Sequence, residues 1–130
     1  MKDSITYIGY PNRNGCVLYV RHSHDKGVDT IEFKDKMLGL DYVNHSPAGL
    51  SWGYHGSGCA QTAFAVLLDF FKRGFGFSEH AAVTVAKNCY QRFKDEVIAK
   101  KDMNKIIRID AVEIIDWYVE VTGNVSESVG

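Results

Sequence analysis

The sequence predicts an α+β fold: a small antiparallel sheet of three or four strands from the N-terminal third, packed by three helices. Three observations predict it. Short strand-favouring runs, broken by turn formers, fill the first third. Apolar residues at helical spacing fill the rest. The segment 59–71 is apolar nearly all round, its only polar residues being Gln61, Thr62 and Asp69. A helix of that kind must be enclosed by other elements, so 59–71 is the expected central helix.

Residues 5–8, Ile-Thr-Tyr-Ile, read as a first strand. Pro11 to Gly15 follow as a turn, with Asn14-Gly15 as the hairpin signal, and 16–21 read as the second strand. Val28 to Phe33 alternate apolar and polar, as a third strand would. Leu38, Leu40 and Tyr42 alternate too, which predicts a short fourth strand near 38–43 inside an otherwise irregular stretch at 34–57. Gly74 and Gly76 end the central helix. Ser78 caps the next, whose apolar positions are Ala82, Ala86, Cys89/Tyr90, Phe93 and Val97. Lys105 to Ile109 read as a short strand or extended entry. Asp110 with Glu113 predicts a capping pair for the last helix, which Gly123 terminates. Residues 1–123 are read as one domain and 124–130 as a flexible tail.

Composition narrows the function. The 130 residues carry 15 basic and 16 acidic side chains, a net charge of -1, with no basic stripe. Broad electrostatic binding to nucleic acid is therefore disfavoured. Lys100, Lys101, Lys105 and Arg108 read as a solvated helix end. Cys16, Cys59 and Cys89 are odd in number and form no C-x-x-C, which argues against a disulfide framework or structural zinc. Reduced thiols, no leader-like apolar start and no long apolar run predict a cytoplasmic protein without a membrane span. No metal or other cofactor is expected.

The most informative feature is the loop Trp52-Gly53-Tyr54-His55-Gly56-Ser57-Gly58, which runs straight into the apolar helix. With Val43-Asn44-His45-Ser46-Pro47 before it and Cys59-Ala60-Gln61 after it, this segment resembles the family of unknown function DUF6166. That family occurs in bacteria and in mobile elements such as phages. Tyr90-Gln91-Arg92-Phe93-Lys94 also fits, so the resemblance covers about 43–95. The chain departs from the family pattern at Cys59, where proline is usual, at Thr62, where leucine is usual, and at His55, where a small residue is common. The resemblance implies no activity.

The candidate ligand- or partner-binding residues are His45, Trp52, Tyr54, His55, Gly56, Ser57 and Gly58. The glycines permit unusual backbone angles. The helix start offers unpaired N–H groups, and Ser51 and Ser57 offer hydroxyls, so a phosphate or carboxylate is the ligand such a loop would take. The loop lacks the Lys-Ser/Thr of a phosphate-cradling motif and the spacing of a dinucleotide fingerprint. A tight turn that packs the helix on the sheet explains the same glycines. Trp52 and Tyr54 would face one way as a stacking platform, or cover the core edge. His45 would clamp the loop through a backbone carbonyl. Cys59 at a helix start invites a Cys–His pair with His55 or His45, but the family's proline there argues for a tolerated small residue. His22 and His24 read as exposed turn histidines, not metal ligands. No catalytic residue is assigned.

Two functions follow as expectations. The first is a small non-catalytic binding protein of an uncharacterised family that acts on a protein partner. A phage or mobile-element accessory protein that inhibits a host defence system, in the manner of anti-CRISPR proteins, is its sharpest form. The alternative is a small-ligand or anion-binding protein or enzyme using the loop 53–58.

Overall fold

Alternation in the first third builds three strands, β1 (Ser4–Tyr10), β2 (Val17–His24) and β3 (Gly27–Glu32). A fourth, β4 (Ile107–Asp110), arrives from near the C-terminus and pairs with β1. The order is β3-β2-β1-β4, antiparallel throughout. The helices are α1 (Ser57–Arg73), α2 (Glu79–Phe93) and α3 (Ala111–Val121). The computed structural model describes residues 4–12, 16–45 and 49–123. The Asn14-Gly15 turn and the tail 124–130 lie outside the described residues.

The α+β architecture is as the sequence predicts, with two differences. Residues 38–43 do not form a strand: Asp35–Leu38 is a one-turn 3-10 helix, closed by Gly39 at φ 75°. The alternation of Leu38, Leu40 and Tyr42 instead lets this turn lean on α1, where the Tyr42 and Phe64 rings meet at 6.4 Å. The fourth strand comes from 107–110, where Ile107 and Ile109 are buried and Arg108 and Asp110 exposed. The second helix ends in a π-helical turn, Lys94–Ile98, which turns Val97 and Ile98 into the core.

The core lies between one sheet face and the helices. Tyr7, Leu18, Val20, Ile107 and Ile109 point inward, and every residue of α1 from Gly58 through Phe71 is buried. Phe70, Phe71, Phe75, Phe77 and Tyr118 extend this core as a chain of ring contacts 5.0 to 6.5 Å apart. The other sheet face carries Ile8, Tyr10, Val17, Tyr19 and Arg21, with Arg108 opposite Ile8 and Thr30 opposite Arg21.

Caps follow local chemistry unevenly. The Ser78 side chain accepts from the Ala81 N–H at 3.1 Å, as its type and place predict. Asp110 occupies the N-cap of α3 without a side-chain cap bond. The predicted capping pair is not formed, because Asp110 accepts from the Thr6 hydroxyl (2.9 Å) and Glu113 pairs with Lys101 (3.0 Å).

Two predictions arise from this packing. A Cβ at Gly9 would stand 2.6 and 2.7 Å from the Trp52 ring. Gly9→Ala should therefore cost roughly 1–3 kcal/mol in urea unfolding. Tyr7 donates its hydroxyl proton to Asp69 at 2.8 Å; burial, then the Asp69 charge, push its pKa well above the usual 10.0. The folded state thus keeps a proton that the unfolded chain releases. This contribution is complete below about pH 10 and is lost as pH rises beyond it. Stability measured against pH should fall above that point, and Tyr7→Phe should remove this part of the fall.

Candidate functional site

An enclosed helix must satisfy its polar side chains locally, because buried groups without partners cost free energy. Gln61 does so by holding the preceding loop. Its amide nitrogen donates to Leu38 O (2.7 Å) and Val43 O (2.9 Å), and its oxygen accepts from His45 N–H (2.8 Å). The next residue, Thr62, donates to Gly58 O and accepts from Ser51 N–H, both at 2.9 Å. At the far end Asp69 takes the Tyr7 hydroxyl and two bonds from Arg73, at 2.9 and 3.0 Å. The polar stripe is therefore spent on the chain's own backbone and side chains.

The loop that enters α1 is filled from within. Trp52 is completely buried, with its ring against Gly9, so it belongs to the core and offers no stacking platform. Its indole N–H is buried and unbonded among the described residues. Gly53 adopts φ 90° and passes close to the Met103 backbone, where a side chain would collide. Tyr54, 41% exposed, turns the opposite way from Trp52. Its ring lies over Gly56, and its hydroxyl reaches the start of α1 beside Gly58. Gly56 is the N-cap in ordinary extended backbone, with no side-chain cap bond, and Gly58 is buried against Ser51. Ser57 is the exposed first residue of α1. The glycines at 56 and 58 are thus needed for close approach, and only the one at 53 for backbone angle.

The histidines part company. His55 Nδ1 lies 3.1 Å from Asp95, both exposed. His45 does not clamp a carbonyl through its ring. Its backbone N–H is taken by Gln61, and its ring Nε2 meets the Tyr90 hydroxyl at 2.6 Å. Tyr90, read from the sequence as an apolar helix position and part of a family-like segment but not as a site residue, also accepts from Gln91 at 3.2 Å. His22 and His24 are not in a turn: β2 runs through both, and their rings meet at 5.5 Å. His24 Nε2 bonds Asp29 (2.9 Å), and its Nδ1 accepts from Lys26 N–H (3.3 Å), so neither nitrogen is open to a metal. Among the described residues no three His, Cys, Asp or Glu side chains gather as a metal site.

Cys59 cannot pair with a histidine as a nucleophile. His55 faces Asp95 and His45 faces Tyr90, while the Cys59 thiol is fully buried and burial raises its pKa. Burial also pushes Cys89 up to about 11. Both are poor thiolates at neutral pH. Cys16 is half-buried at the head of β2. No helix among the described residues is long and apolar enough to cross a membrane.

Thiol labelling by Ellman's reagent at pH 8 should reach Cys16 first and Cys59 last, with all three reacting in urea. Gln61→Ala should lower unfolding free energy by roughly 1–3 kcal/mol, because the Leu38 and Val43 carbonyls and the His45 N–H lose their partner.

The model of the family of unknown function DUF6166 matches residues 19–120. No curated protein and no solved structure matches the chain.

Proposed function

From a chain that belongs to the DUF6166 family, we propose a non-catalytic binding protein whose partner is another protein. One observation carries this reading. Helix α3 has two apolar faces. Ile114 and Trp117 are buried, yet Val112, Ile115 and Val119 stand 66%, 38% and 56% exposed at three- and four-residue steps. Large apolar side chains in a line on a helix surface are the pattern with which a helix seats in a partner's groove. Asp116 and Glu120 are exposed along one edge of this line, which suits a basic rim on the partner.

Anion capture by residues 53–58 loses ground to the Tyr54 ring, which already covers the helix start. Three free thiols suit a reducing, cytoplasmic setting. The sharper reading, a phage or mobile-element protein that disables a host defence system as anti-CRISPR proteins do, draws its support from the family resemblance.

The test is affinity capture from a bacterial lysate with the wild type and with Val112→Lys/Val119→Lys. Surface changes of this kind should leave the melting temperature nearly unchanged. A protein retained by the wild type and lost with the variant is expected. Equal retention by both, or none by either, sinks the reading. Inorganic phosphate should leave the melting temperature of the wild type unchanged.

A further inference from the structure

The face of the sheet turned away from the helices has its own chemistry, separate from the α3 interface. Strand alternation puts Ile8 and Tyr10 of β1 on this face, beside Val17, Tyr19 and Arg21 of β2. Ile8, 9% exposed, stands outside the main core cluster. The Tyr10 and Tyr19 rings meet edge to face at 5.8 Å, and Tyr10 is 41% exposed. A shallow cavity of about 370 Å3 opens here, floored by Ile8 and Val17 and walled by both tyrosines, Asn12 and Thr30.

Two cations frame this apolar floor. Arg21 follows Tyr19 by two residues on the same strand, and Arg108 lies directly opposite Ile8 on β4. Both are exposed, and neither guanidinium is in an ion pair among the described residues. An arginine without a carboxylate partner keeps its fork of donors for an external anion. Two carboxylates share the face, Asp110, which accepts from Thr6, and Glu32, directly opposite Tyr19, and neither is in an ion pair with Arg21 or Arg108 among the described residues.

We propose that this face binds a nucleotide, with the base stacked on Tyr10 and Tyr19 and the phosphate on Arg21 or Arg108. The cavity lies within the ~300–1,000 Å3 range of small-ligand sites and is large enough for a base. Aromatic rings on an open antiparallel sheet give sequence-tolerant stacking, and flanking arginines select a phosphate over an uncharged aromatic. The near-neutral chain rules out a long electrostatic footprint. The site therefore takes one or two nucleotides, either free or as part of a single strand.

The probes are AMP, UMP and fluorescent ten-nucleotide dT and rU oligomers, followed by NMR shifts and by anisotropy. Wild type should bind at least one, with shifts centred on residues 8, 10, 19 and 21. Tyr10→Ala should weaken binding about fivefold or more, and Tyr10→Phe should restore it, because the ring supplies the stacking. Arg21→Gln with Arg108→Gln should weaken binding and flatten its salt dependence. Val112→Lys/Val119→Lys should leave it untouched, which keeps this site independent of the protein-binding reading. Equal affinity for UMP and the rU oligomer assigns a free nucleotide, and binding of oligomer alone assigns a single strand. Where Tyr19→Ala fails to fold, Tyr10→Ala at the exposed ring decides. Absence of binding to all four probes, or binding that neither Tyr10→Ala nor the double arginine change affects, overturns the proposal.

Discussion

The burial of α1 is the constraint on which the rest depends. A helix enclosed from Gly58 through Phe71 can carry polar groups only where each finds a partner. Gln61 and Thr62 meet that requirement with backbone groups of 38–58, and Asp69 with Tyr7 and Arg73. The same bonds that make the helix tolerable in the core give the irregular loop its shape. The loop's path then fixes where Trp52 is inserted and where His45 emerges beside Tyr90.

This arrangement changes the meaning of the glycine-rich segment. Phosphate-cradling loops keep their N–H groups open to a ligand. Here Tyr54 folds over the opening and Ser51 packs against Gly58. Glycine is needed at these positions because aromatic rings and backbone come too close for a side chain. The loop is a joint between helix and sheet. The surfaces with unspent chemistry are elsewhere, on the outer line of α3 and on the open side of the sheet.

Much of the architecture was legible in the residues. The β hairpin strands, the Ser78 cap and the enclosed helix follow from period and residue type alone. The strand misread at 38–43 shows the limit of that logic, since three alternating apolar residues suit a turn leaning on a helix as well as a strand. The capping pair at Asp110 and Glu113 failed for a similar reason. Thr6, 104 positions away, and Lys101 compete for the same carboxylates. The site was less legible than the fold. Trp52 and Tyr54 look alike around Gly53, yet φ 90° at that glycine sends one ring into the core and the other over the helix start. The open-face pair of Tyr10 and Tyr19 could not be seen without the register that sets them side by side.

The junction at Asp110 and Ala111 carries a mechanical implication. Edge strand and last helix meet there with no intervening residue. Load applied to the helix therefore reaches the strand without slack. Buried Ile114 and Trp117, the Tyr118 ring against Phe71, the Trp117 indole N–H bond to Glu96 and the Lys101 bridge to Glu113 all hold that helix. With the helix seated in the core through these side chains, the short β4 ladder and the helix are anchored as one unit, and a load on either is shared by both.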